Sequence, residues 1–365
     1  MVPLRDLVPT LYHGKTVTFS RKPLLQVTPN GLFCEPGGFY IDPWCPVDRA
    51  VITHAHGDHA RWGSKHYLTS TLGEGVLRVR MGADAVIEAV PYGQTVIENG
   101  VRISLHPAGH ILGSSQIRVE HEGEVWVASG DYKVEHDRTS TEFEPVRCHT
   151  FITESTFGLP IYRWRPQPEI FAQIDSWWRD NQTAGRASVL FAYSLGKAQR
   201  LLAGVNPEIG PIFCHGAVQK LNKAYRESGI LLPETQYSGD MERGYDWSRS
   251  LIVAPPSCNG TTWMRKFGST STAFASGWMR MRGTRRRQSL DRGFTLSDHA
   301  DWPGLLNAID TTGAENVLVT HGYRGPLVHW LNDHGKQARA LETRYEGERE
   351  DDPADAVEAA AEPEA

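Results

Sequence analysis

The chain has 365 residues, 40% hydrophobic and 22% charged, with a net charge of −5. That is an ordinary globular composition with room for about two domains of roughly 100–200 residues each. No apolar run approaches the ~18 residues of a membrane span, and the N-terminal MVPLRDLVPT lacks the basic stretch and apolar core of a signal peptide. Cys34, Cys45, Cys148, Cys214 and Cys258 are odd in number, scattered and form no CxxC. They read as free, buried thiols in a reducing cytoplasm. Charge is uneven: residues 346–365 carry nine acids and one arginine, which leaves about +3 on the rest. With almost no large apolar residue, that tail is expected to be disordered.

In chain order, short strands are expected at residues 38–42 (GFYID) and 49–53 (RAVIT), the second running into HAHGDH at 54–59. Further strands follow at 101–106, 115–120, 125–128 and 151–153, bounded by glycine or polar turns. The pattern then changes. Residues 166–181 (PQPEIFAQIDSWWRDN) have helical spacing, 188–193 (SVLFAY) read as an apolar strand, and 194–203 as a helix with Ser194 at its N-cap. Apolar segments at 211–214, 250–254 and 272–275 continue a strand–helix alternation that favours a parallel sheet. A separate α/β module is therefore placed at about 165–290. Two more polar sites follow, SDHAD at 297–301 and VTHG at 319–322.

The strongest chemical signal is His54, His56, Asp58 and His59 in HxHxDH. In extended chain, residues two apart point the same way, so His54 and His56 can grip one ion. Gly57 lets the backbone turn, so that Asp58 and His59 face a second. Imidazole with carboxylate suits zinc, with manganese the alternative. His110 in the glycine-bracketed PAGHILGS loop, Asp131 after a strand and Ser129-Gly130, and His321 at the end of the apolar strand 316–320 supply the remaining ligand candidates.

The order of Asp42, HAHGDH, His110 and Asp131 resembles the metallo-β-lactamase superfamily, and Glu154, His299 and His321 look like the further motifs of its β-CASP nuclease branch. Segments 191–202, 276–279 and 296–302 are most similar to the bacterial DNA-ligase-associated exonucleases, relatives of the cross-link-repair nucleases. The resemblance implies an α/β fold: a four-layer αββα sandwich formed by 1–164 and 291–345, with an inserted α/β β-CASP cap at 165–290. It implies two divalent ions, one held by His54, His56, His110 and Asp131, the other by Asp58, His59, Asp131 and His321. Asp42 would orient a ligand histidine from behind. His299, outside the ligand set, would be the acid that protonates the leaving oxygen, with Glu154 holding its tautomer; Asp58 belongs to the catalytic set because its loss should stop cleavage.

The implied activity is a DNA exonuclease in repair, with DNA favoured over RNA as the partner, no membrane, and an ATP-dependent DNA ligase and a helicase as functional partners. The alternative is a β-CASP ribonuclease processing RNA. His321 matches the RNA-cleaving branch; the folded part, expected to end near Tyr345, leans toward DNA. A small-molecule hydrolase is disfavoured by the insertion and the arginines, and an inactive scaffold by the full ligand set. Arg280, Arg282, Arg285, Arg286, Arg287 and Arg292 crowd one short stretch with Arg265 and Lys266 upstream, a patch suited to phosphates. Lys197 and Arg200 could also meet phosphate, although helix capping and surface charge is the favoured reading there.

Overall fold

The computed structural model describes residues 22–281 and 290–345. The N-terminal residues 1–21, the arginine-rich 282–289 and the acidic tail 346–365 lie outside them. Three sheets organise the described residues. The first runs β1 (Gln26–Thr28), β2 (Gly31–Cys34), β3 (Phe39–Ile41), β4 (Arg49–Val51), β5 (His66–Ser70) and β6 (Ile87–Val90) in spatial order. The second comprises β7 (Thr95–Glu98), β8 (Val101–Pro107), β9 (Ser115–His121), β10 (Glu124–Ala128) and β11 (Thr150–Ser155), completed by β18 (Asn316–Gly322) and β19 (Gln337–Ala340).

Alternation decides how these sheets meet. Along β8 and β9, Val101, Ile103, Leu105, Ile117 and Val119 point one way. They join Leu32, Phe39, Ile41, Val51 and Leu68 of the first sheet in one buried core. The outer face of the second sheet (Val127, Phe151, Val317, Val319) is covered by α5 (Trp302–Thr311) and α6 (Arg324–Asp333). The outer face of the first (Ala50, Ile52, Tyr67) is covered by α1 (Glu74–Met81) and α4 (Gly216–Glu227). The stack is therefore helix, sheet, sheet, helix, each layer burying the apolar side of the next.

The third sheet is parallel throughout, in the order β14 (Gln236–Tyr237), β13 (Ile212–Cys214), β15 (Leu251–Ala254), β12 (Ala187–Phe191), β16 (Thr270–Ala275) and β17 (Arg292–Phe294). Its central strands β12, β13 and β15 are buried on both faces, as parallel strands between two layers must be. One face packs on α2 (Gln167–Thr183) and α3 (Lys197–Gly204). α4 is shared: Val218 joins this core, while Leu221, Ala224 and Tyr225 join α1 against the first sheet.

Three expectations need correction. The parallel sheet runs past residue 290, because β17 pairs with β16 at Arg292–Phe294. β12 ends at Phe191, and α3 starts at Lys197 with Gly196, not Ser194, at its N-cap. Residues 192–196 stay in a buried loop, with Leu195 packed in the cluster over the first sheet. All five cysteines are free as expected, but only Cys34, Cys214 and Cys258 are buried; Cys45 and Cys148 are half-buried. Among the described residues, no helix is long and apolar enough to cross a membrane.

Candidate metal centre

The HAHGDH run leaves β4 at the edge where the first two sheets meet. Asp42, just past β3, sits under it in a left-handed conformation (φ 42°), which Asp tolerates better than most side chains. Its carboxylate accepts the Thr53 amide at 2.8 Å and the Thr53 hydroxyl at 2.5 Å, and takes a 2.7 Å bond from His59 Nδ1. The turn closes when His59 and Ala60 donate back to the His56 carbonyl at 3.1 and 2.8 Å. Asp42 thus fixes which His59 nitrogen faces forward.

Asp131 divides the cluster between its two oxygens. Oδ2 lies 3.6 Å from His54 Nε2 and 3.8 Å from His110 Nε2, whose ring is 3.0 Å from His56 Nδ1. Oδ1 lies 3.0 Å from His321 Nε2 and 3.6 Å from His59 Nε2, and Asp58 Oδ2 is 3.5 Å from that same nitrogen. Two ligands on one zinc, with bonds of about 2.0–2.1 Å at tetrahedral angles, stand roughly 3.3 Å apart. The spacing fits, and the orphaned atoms agree: His54 Nε2, His59 Nε2, His321 Nε2 and Asp131 Oδ1 are buried yet make no hydrogen bond. Buried polar atoms without partners call for an explanation, and a divalent cation with this nitrogen and carboxylate donor set supplies one. His54, His56, His110 and Asp131 form one group that could hold an ion, and His59, Asp131 and His321 another.

Protonation suits the ligand role. Burial, reinforced by neighbouring imidazoles, pushes the pKa values of His54 and His110 far down, and burial lowers that of His56. These rings are neutral, the form that binds metal. Burial works against an ionised Asp131, but His59 and His321 outweigh it and hold its carboxyl well below the ordinary range. Burial also works against a charged His59, yet Asp58, Asp131 and Asp42 raise it to about 10. A cation arriving there displaces that proton.

His299 and Glu154 pair alongside. His299 Nδ1 is 2.9 Å from both Glu154 oxygens, and the same carboxylate accepts the Tyr132 amide at 2.8 Å. The His299 ring lies 4.6 Å from that of His110. Its carbonyl accepts Trp164 Nε1 at 2.9 Å, while Asp301 caps α5 by accepting the Gly304 amide at 2.9 Å.

The chain is similar to endoribonucleases. It is 32% identical over 301 residues to Endoribonuclease YSH1 of Saccharomyces cerevisiae, a match covering 66% of this chain and 38% of that protein. It is 30% identical over 315 residues to a protein of Opitutus terrae named Probable DNA ligase, covering 86% of this chain and 30% of the other. The chain thus spans about a third of the length of these curated relatives. A crystal structure of a protein of unknown function from Enterococcus faecalis shares the fold, with a TM-score of 0.55 at 11% identity over 82% of this chain and 80% of that one. No protein-family model matches the chain.

The structure therefore brings Asp42, His54, His56, Asp58, His59, His110, Asp131, Glu154, His299 and His321 to one place. Arg280 is exposed, 3.4 Å from the Ile161 carbonyl. Arg282, Arg285, Arg286 and Arg287 lie outside the described residues. Both readings of Lys197 and Arg200, phosphate contact and surface charge, are overturned. They are 1% and 2% exposed and locked into a buried network: Lys197 to Asp298 at 3.4 Å, Arg200 to Asp298 at 3.0 Å, Glu135 at 2.8 Å and Asp137 at 3.5 Å. Tyr345 is a site residue that sequence reasoning missed. Its ring stacks on His59 at 4.6 Å and 12°, and its hydroxyl donates toward the Ile41 and Asp42 carbonyls at 3.2 and 3.3 Å.

The buried network carries a pH dependence. Burial opposes ionisation of Asp137 and Asp298, but Lys133 and Arg200 beside the first, and Lys197 and Arg200 beside the second, hold both carboxyls below the ordinary range. A lowered folded pKa contributes stability that is fully present above the unfolded value, about 3.9, and is lost as pH falls through the folded one. Urea midpoints are expected to drop on going from about pH 5 to pH 2, with Asp298→Asn flattening that slope. A variant whose slope matches the wild type overturns the assignment.

Proposed function

We propose that this chain is a metal-dependent phosphodiesterase of the metallo-β-lactamase superfamily, β-CASP branch, acting as a DNA exonuclease in repair. In this reading the first two sheets with α1, α5 and α6 form the catalytic body, and the third sheet with α2, α3 and α4 is the inserted cap. The carrying observation is Asp131, whose two oxygens each face a separate group of buried imidazole nitrogens, those of His54, His59 and His321 without hydrogen bonds, beside the His299–Glu154 pair. The likeness to endoribonucleases supports nucleic acid as the substrate class, and the likeness to a stretch of a protein named as a probable DNA ligase favours DNA.

Bound divalent cations would supply charge for the phosphate oxygens and lower the pKa of an attacking water. The chain's own residues do the rest. His54, His56 and His110 face one side of Asp131, and Asp58, His59 and His321 the other. Asp42 and Thr53 keep the His59 and His54 rings turned inward. His299, held by Glu154, delivers a proton to the leaving oxygen. Arg280, with Arg282, Arg285, Arg286 and Arg287, contributes phosphate contacts.

Ribonuclease action is the second reading, favoured by His321 at 3.0 Å from Asp131 and by the endoribonuclease relatives. End-labelled DNA and RNA, incubated in parallel with zinc or manganese, discriminate the two. A ladder shortening DNA from one end is expected; a ladder on RNA alone reverses the preference. Elemental analysis of protein supplied with metal is expected to give close to two equivalents, and no bound metal in folded protein removes the reading.

A further inference from the structure

We propose that the insertion sets the affinity of one of the two metal groups, through the segment from Leu195 to Arg200, and leaves the other to the sandwich alone. This rests on the ligand assignment above and goes beyond it by naming what aims the ligands. The outer nitrogen of each imidazole has a hydrogen-bond partner, and those partners fall into two classes. His59 bonds to Asp42 at 2.7 Å, His54 lies 3.0 Å from the Thr53 hydroxyl and His321 3.1 Å from that of Thr320. All three partners lie in or just after strands of the two sandwich sheets. His56 and His110 differ. His56 Nε2 donates to the Leu195 carbonyl at 3.1 Å, which leaves Nδ1 facing His110. His110 Nδ1 donates to the Asp298 carbonyl at 2.7 Å, which leaves Nε2 facing Asp131.

Both carbonyls answer to one stretch of the insertion. Leu195 belongs to it. Asp298 is clamped by it: Arg200 donates to the Ser297 carbonyl and, at 3.0 Å, to the Asp298 carboxylate, whose other oxygen lies 3.4 Å from Lys197. Between them, Gly196 has φ +90° and no room for a side chain, since a Cβ there would lie 2.2 Å from Cγ2 of Ile111, the residue after His110. From α4, the Tyr225 hydroxyl accepts the amide of Leu112, two residues past His110, at 3.3 Å. The loop carrying His110 is therefore seated on the insertion, and two of the three imidazoles on that side of Asp131 take their orientation from it.

Outer partners that orient a ligand are typically worth about 10–100-fold in metal affinity. Gly196 and Arg200 are thus positioning residues, and the test reads metal binding rather than turnover. The full-length chain is stripped of metal and titrated with zinc against a chromophoric chelator, then with cobalt(II) while its visible absorption is followed. Wild type is expected to take two ions. Gly196→Ala must push Leu195 or Ile111 aside, so one ion is expected to weaken by about 10–100-fold while the other stays within about twofold. Arg200→Lys keeps the charge but loses the fork, and is expected to weaken the same ion less. It keeps the test available if Gly196→Ala does not fold, which thermal unfolding reports. Thr320→Val, which removes the hydroxyl 3.1 Å from His321 Nδ1, is the opposite control and is expected to weaken the other ion. Two unchanged affinities in a folded variant overturn the proposal and leave the ligand assignment standing, as does an equal fall in both. A wild type that binds no ion overturns the ligand assignment itself.

Discussion

Asp131→Asn is expected to cost more than about 10³-fold in turnover and to release both ions. Losing one preorganised electrostatic group typically costs about 10²–10³-fold, and Asp131 serves both groups of ligands. Four imidazole nitrogens lie within 3.8 Å of its oxygens. Asparagine keeps the volume but removes the charge that compensates a cation on either side. Because the ligands sit on loops and at a strand end rather than in the apolar core of the sandwich, circular dichroism should report an intact fold. Asp58→Ala is expected to abolish cleavage as well, while disturbing only the ion on the His59 side. Near-wild-type metal content in Asp131→Asn would remove Asp131 from the centre of the scheme.

His299→Ala is expected to lower turnover by roughly 10²–10⁴-fold, the usual worth of acid catalysis, with metal content unchanged. The Glu154 carboxylate bonds His299 Nδ1 through both oxygens at 2.9 Å and is itself fixed by the Tyr132 amide. That arrangement orients the ring and places a carboxylate beside it. A nitrophenyl phosphodiester, whose leaving group needs little protonation, should lose far less. Glu154→Gln should give a smaller defect of the same kind. Because it removes the carboxylate charge beside the ring, the basic limb of the pH–rate profile is expected to move to lower pH. Equal losses on both substrates, or loss of metal in His299→Ala, would reassign the histidine.

What could be read in advance follows from how each residue earns its place. HAHGDH is legible because side chains two apart in extended chain share a face, so contiguous residues become neighbours in space. His110, Asp131 and His321 each follow or end a strand of the second sheet, which is why strand-end polar residues pointed to them. Leu195 left no trace, because it acts through a backbone carbonyl and its side chain type is irrelevant. Tyr345 was equally hidden: nothing local marks an aromatic that returns to stack on His59. Lys197 and Arg200 were misread because exposure is a tertiary property. α3 presents plausible surface charges until the loops at 135–137 and 297–298 pack over them and supply carboxylates. The short strands β1, β2, β5 and β6 lacked a period long enough to register, whereas the apolar strands of the third sheet stood out because both their faces are covered.

The double duty of α4 bears on how such a molecule could have been assembled. Val218 serves the parallel sheet while Leu221, Ala224 and Tyr225 serve the sandwich. Excising the insertion would therefore uncover the apolar outer face of the first sheet at Ala50, Ile52 and Tyr67, leaving α1 as its cover. On the proposed reading, the inserted segment is not an accessory laid over a finished enzyme. It supplies part of its host's wall, so the two parts are expected to unfold together in one cooperative transition, and an ancestor without the segment would have needed another cover for that face.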